Sequence, residues 1–183
     1  MILEIVQYGH PALRAKGKPV LEITDEIRQL GNDMIDTMRD ANGVGLAAQQ
    51  VGVPLQLTVL DVSDVEDRPS TMTIDGKAVN IDDWMPMVLL NPQMELSKDK
   101  EIGMEGCLSF PEITADIARA GSVVTKATLL DGRKVEFGST GLLARALQHE
   151  FDHLHGILFI DRMNSATKVS LAGRLKRLQK SNR

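Results

Sequence analysis

The 183-residue chain has one cysteine, 3% aromatic residues and no apolar run near the ~20 residues that a membrane span needs. A lone cysteine cannot close an internal disulfide, which fits a reducing, cytoplasmic setting and leaves the Cys107 thiol free for chemistry. With so few aromatics the core must rest on Leu, Ile, Val and Ala, with nine Met residues to fill irregular gaps. The first twenty residues lack the apolar run and small-residue cleavage site of a secretory signal, and the Ser-rich, acid-poor character of a transit peptide. Repeats and low-complexity tracts are also missing. What is there is ordinary for one compact domain: 43% hydrophobic and 25% charged residues. The net charge of −4 hides an asymmetry. Seven of the 21 Lys and Arg lie between Arg162 and Arg183, where no acid occurs, so any polyanion contact would use this tail.

The pattern of elements predicts an α+β fold: mixed and antiparallel strands around a central helix, with a C-terminal helix after them. Ile27, Leu30, Met34, Ile35 and Met38 fall on one helical face over 24–40, with Thr24 as N-cap. Residues 55–62 and 87–90 read as strands. The Asp-rich stretch 63–85 between them reads as an irregular excursion with a short hairpin at Asp75-Gly76. Residues 122–130 and 133–137 predict a hairpin closed by the two-residue turn Asp131-Gly132. Ser139 and Thr140 are placed to cap a helix over 141–155 that Gly156 stops. A last helix over 165–180 carries the stripe Leu171, Leu175 and Leu178, with Lys168, Arg174, Arg177 and Lys180 outside.

The predicted 141–155 helix contains His149-Glu150-Phe151-Asp152-His153. Residues four apart on a helix share a face, so two imidazoles could reach one metal ion, and Glu150 beside them could act as the base. The pattern also fits two structural histidines on an amphipathic helix. A catalytic site needs a third protein ligand. The longer motif that continues to a third His has Phe159 at that position, and no Glu follows Glu150. A metallopeptidase with a downstream ligand therefore fits poorly. Of the local candidates, His155 points away on a helix and Asp161 lies past its end. Cys107, in a Gly-rich segment that reads as irregular and then extended, is the best remaining donor. A lone Cys is also commonly a small buried hydrophobe, and spacing alone does not separate the two readings.

Three segments bear on that choice. Gly43–Gln50 (GVGLAAQQ), Glu105–Ser109 (EGCLS) and Gln148–His153 (QHEFDH) resemble, in order and spacing, the three motifs of the peptide deformylase family. The likeness runs from the GHPALR opening to about Met163, so residues 1–163 would be the catalytic domain and 164–183 a basic helix of the same domain. That family removes the formyl group from the N-terminal formyl-Met of new polypeptides. The resemblance implies that Cys107, His149 and His153 hold one divalent metal, Fe(2+) foremost, with Zn(2+), Ni(2+) or Co(2+) as alternatives. It makes Glu150 the general acid/base, and Gln50 with the Leu108 N–H the oxyanion donors. Gly45 would let the substrate backbone come close. Val44, Leu108 and the metal helix are the candidates for the lining of the Met pocket. Glu105 and Arg119 would pair to fix the cysteine-bearing strand, the alternative being that both are solvated. The implied partners are nascent N-formylmethionyl peptides. Residues 162–183 offer Lys and Arg for a contact with ribosomal RNA, the alternative being a solvated helix that packs Leu171, Leu175 and Leu178 on the body, and no membrane contact is expected. A non-catalytic metal-binding or peptide-binding module would need neither Glu150 nor Gln50. Two departures stand out: residues 63–85 are longer than the usual connection, and Thr114 sits where some members have a basic residue.

Overall fold

Helix α1 (Asp25–Asp40) starts at Thr24, whose hydroxyl accepts a 3.3 Å hydrogen bond from the Ile27 amide. The computed structural model describes residues 1–183. Met34, Ile35 and Met38 on the buried face of α1 pack with Leu46, Leu57, Val59 and Leu90. Nine strands follow: β1 (Gly45–Ala47), β2 (Leu57–Leu60), β3 (Ser70–Ile74), β4 (Lys77–Ala78), β5 (Met87–Leu96), β6 (Glu101–Cys107), β7 (Phe110–Arg119), β8 (Ser122–Leu129) and β9 (Lys134–Thr140). Then come α2 (Gly141–Leu154) and α3 (Ser165–Ser181). Seven strands form one sheet in the order β1-β2-β5-β8-β9-β3-β4, and β6 and β7 form a separate hairpin. Every ladder is antiparallel, and the parallel pairing is the isolated bridge between Lys18 and Leu55. The α+β class, the central helix and the C-terminal helix are as expected.

Helix α2 runs between the two sheets. Leu142, Leu143, Ala146 and Leu147 pack with Leu60, Met72, Leu89 and Phe137 of the large sheet, while Arg145 and His149 bond to the β6–β7 hairpin. A helix covered on every side cannot be amphipathic in the ordinary sense, so its polar residues must find partners inside the protein. Its start is not capped as the sequence suggested. Ser70 Oγ accepts from the Leu143 amide at 2.8 Å and Pro69 O accepts from Leu142 at 3.3 Å, whereas Thr140 makes no cap bond. Its end is as expected, with Gly156 at φ 72°.

The excursion 63–85 is not merely irregular. Its hairpin turns at Asp75 and Gly76, both at positive φ, and β3 joins the large sheet beside β9. Strand β5 runs six residues past Leu90 because Asn91, at φ 51°, forms a bulge that carries the chain around Pro92. Asn91 exchanges two 2.8 Å hydrogen bonds with the Val20 backbone there. The β8–β9 turn is longer than two residues: Leu129 N–H donates to Arg133 O, and Gly132 sits at φ 90°. In the Gly-rich segment 103–111, expected to begin irregularly, residues 103–107 belong to the regular strand β6 of the hairpin that carries Cys107. Helix α3 docks through Leu171, Leu175 and Leu178 near Tyr8 and Phe110, and no helix is long and apolar enough to cross a membrane.

Candidate metal centre and active site

Cys107 ends β6, one residue before the Leu108-Ser109 turn into β7, and its Sγ meets α2 at His153. One turn of helix stacks His149 over His153 with ring centroids 5.0 Å apart. The ligating atoms of Cys107, His149 and His153 all lie within 4.8 Å of one another, and Cys107 Sγ is 3.4 Å from His153 Nε2. Tetrahedral bonds of roughly 2.0–2.3 Å separate neighbouring ligands by about 3.5 Å, so this donor set fits one divalent cation. The other two local candidates are engaged elsewhere. His155 Nδ1 meets Phe151 O at 2.8 Å, and Asp161 pairs with Arg14 at 2.6 Å.

His149 Nδ1 lies 2.9 Å from Glu105 Oε1. A proton on Nδ1 would leave Nε2 free to ligate a cation, the usual carboxylate–histidine support of a metal ligand. Glu105 also receives Arg119 at 2.8 and 2.9 Å and Arg145 at 2.8 Å. Burial would lift its carboxyl, but the hydrogen bonds from Arg119 and His149 outweigh it and hold Glu105 well below the usual carboxylate range. The expected Glu105–Arg119 pair is therefore buried, not solvated. Arg119 continues to Asp152 at 2.6 Å, and Arg162 closes on Asp152 at 2.9 Å. Burial keeps His153 well below its ordinary pKa and so neutral, the form that ligates.

Glu150 is buried beside the two histidines, and its Oε2 has no hydrogen-bond partner. Burial, opposed by the charges of His149 and Arg119, leaves its carboxyl pushed up to about 7. A cation at the neighbouring ligands would draw it down again. Gly45 lies against this carboxylate: a Cβ there would stand 2.8 Å from Glu150 Oε1. Gln50 Oε1 accepts from the Ala47 amide at 2.9 Å, and this fixes which way its amide faces. Its Nε2 then points at Ser109 Oγ, 3.1 Å away, and at Cys107 Sγ, 3.6 Å away. Gln50, Cys107, Leu108, His149, Glu150, Gly45 and Val44 share one open cavity of about 470 Å³.

Every site residue expected from the sequence thus meets at one place. Three neighbours were missed: Arg145, Asp152 and Ser109. Arg145 and Asp152 had a signal, because with His149 they stand at i, i+4 and i+7 on one helix face. Ser109 had none beyond lying two residues from Cys107.

A family model described as Polypeptide deformylase matches residues 2–169. A peptide deformylase from Methylacidiphilum infernorum is 43% identical over 180 residues, covering 98% of this chain and 94% of that one. Another from Opitutus terrae is 40% identical over 185 residues, with coverage of 100% and 96%. Among solved structures, peptide deformylase 1B of Arabidopsis thaliana, in complex with an inhibitor, aligns with a TM-score of 0.83 at 36% identity, covering 98% of this chain and 91% of that one. Agreement of this extent takes in both sheets, the ligand-bearing helix and the cysteine hairpin, and it makes this chain a member of the polypeptide deformylase family.

Proposed function

We propose that the protein hydrolyses the formyl group from the N-terminal formyl-Met of newly made polypeptides in the cytosol, releasing formate. The observation that carries this reading is the buried Glu150 carboxylate, with one oxygen unpartnered, set between the Cys107–His149–His153 cluster and an open cavity. Those three residues would hold one divalent cation, which when bound supplies Lewis acidity toward water and the formyl oxygen. Fe(2+) is the proposed ion on family resemblance, since a sulfur and two imidazoles also suit Zn(2+), Ni(2+) and Co(2+).

Glu150 takes a proton from the attacking water and holds it for return, the double role of a buried carboxylate that lines the cavity beside the ligands. The formyl C–N bond then breaks, formate leaves with the oxygen from water, and Glu150 protonates the departing amine. Gln50 Nε2, locked by Ala47, and the Leu108 N–H are the proposed donors to the developing oxyanion. Strand β1 lies at one end of the large sheet, so its free edge suits an extended peptide added as a strand. Gly45 serves first to make room for Glu150. Its lack of a side chain also keeps that edge open. The formyl group offers little binding surface, so the Met side chain must supply much of it, from Val44, Leu142, Ala146 and Ile113 in the cavity wall.

The cations of α3 support a contact with ribosomal RNA: Lys168, Lys176, Arg177 and Lys180 all remain exposed while the leucine stripe is docked. Because α3 packs on the body, charge reversal of these four, not truncation, is the clean test by ribosome co-sedimentation. Unchanged binding by the reversed variant would remove the RNA contact. The test of the main reading is formate release from a formyl-Met-Ala-Ser peptide by anaerobically purified protein of measured metal content. Metal-loaded protein that releases no formate would refute it.

A further inference from the structure

The cavity contains one cation that the reaction described above does not use. Arg68 lines it from the connection before β3 and is half-buried. Its guanidinium makes no hydrogen bond and no ion pair within the protein. The other arginine in the wall, Arg145, is fully committed to Glu105 and to the carbonyls of Ile117, Glu101 and Gly103. Nor is Arg68 loosely hung. The next two residues, Pro69 and Ser70, are the pair that accepts the first amides of α2. The cation is therefore tied by its backbone to the helix that carries His149, Glu150 and His153. It stands in a chain of net charge −4, so an unneutralised positive group at the mouth is a local exception to the field around it. The exposed acid of the lining, Glu112, lies on the β7 wall next to Arg174, whose guanidinium donates to its carbonyl at 2.7 Å.

We propose that Arg68 is a specificity-determining residue that favours substrate peptides carrying a carboxylate side chain a few residues after the formyl-Met. The inference rests on the cavity being the deformylation site. A half-buried guanidinium attracts a carboxylate more strongly than a fully exposed one, because less water screens it, and it repels a lysine in the same place. The contribution falls on peptide binding, remote from the formyl carbon, so it appears in KM and not in kcat.

The test uses metal-loaded full-length enzyme and C-terminally amidated formyl-Met peptides with Glu, Ala or Lys at the second, third or fourth residue. Amidation removes the terminal carboxylate as a rival source of the same contact; a parallel free-acid series measures that source. The expected result is a preference for Glu over Lys of about fivefold in kcat/KM at the best position. It should be carried by KM and shrink as salt is raised. Arg68→Lys should keep the preference, Arg68→Ala abolish it and Arg68→Glu invert it, with kcat for the Ala peptide unchanged throughout. Equal kcat/KM for the Glu and Lys peptides with wild type, or a preference that survives Arg68→Ala, would overturn the inference while leaving the deformylase reading intact. No formate from the Ala peptide would overturn both.

Discussion

Helices α2 and α3 are similar in length and both stand out in the sequence by apolar spacing, yet the protein uses them in opposite ways. Twelve of the fourteen residues of α2 are buried, including Arg145, Gln148, His149, Glu150, Asp152 and His153. None of α3 is buried, and its leucines merely lean on the body. The difference teaches where charge is expensive. On α3 the cations stay in water and need no partner. On α2, where Glu150 Oε2 and His153 Nδ1 are left without a partner, the other buried polar groups are matched inside the protein. The Glu105–Arg119–Asp152–Arg162 chain with Arg145 does this on one side, and a bound cation would do so for the ligands on the other.

The contrast can be broken at α2 first. Glu150→Gln should lower formate release by between about 10² and 10⁴-fold, because the base is lost, while metal content by elemental analysis stays at the wild-type level. Turnover close to wild type would reassign the base. Glu105→Ala should come next. It takes the shared carboxylate from the buried Arg119 and Arg145, and urea unfolding should show a loss of about 3–5 kcal/mol. Freed of its carboxylate, His149 should also hold the metal about 10- to 100-fold less tightly. A variant with unchanged stability would mean that the buried charges of α2 need no matching.

Helix α3 should respond more weakly and only in stability. Leu175→Ala removes a half-buried contact and should cost about 1 kcal/mol by urea unfolding, with metal content and turnover unchanged. A loss of activity there would show the two helices to be coupled. The smallest effect lies between them, at Asp161. Burial opposes its ionisation, but the Arg14 guanidinium and the Leu158 amide hold its carboxyl below the ordinary value. A lowered folded pKa gives stability that is present above the unfolded value of about 3.9 and is lost as pH falls through the folded one. Asp161→Asn should therefore be slightly less stable than wild type at neutral pH, and the gap should close as the solution is made acid. A gap of constant size down to low pH would assign the effect to packing instead.

Much of the fold was legible because local rules and packing agreed. Thr24 capped α1, Gly156 stopped α2, and the Leu171–Leu175–Leu178 stripe turned inward. Where local signals misled, a distant partner had taken over. Asn91-Pro92 reads as a strand end, but the exchange with Val20 holds a bulge that carries β5 onward. Ser139 and Thr140 read as caps, yet Ser70, some seventy residues earlier, does the capping. The β7 alternation of Ile113, Ala115 and Ile117 was present and unread, hidden behind the Gly-rich approach to Cys107.

The sequence by itself determined the chemistry on α2. Helical periodicity is local, so the i, i+4 spacing was enough to set His149 and His153 on one face with Glu150 beside them. Spacing did not determine the third ligand, which the motif resemblance alone named, or the matching of buried charge. Each of these depends on chain segments tens of residues apart, brought together by burial of the core and not by any local rule. Only the tertiary structure placed Cys107 3.4 Å from His153 and 3.6 Å from Gln50 Nε2, and drew Arg145 and Asp152 into the network that supports His149.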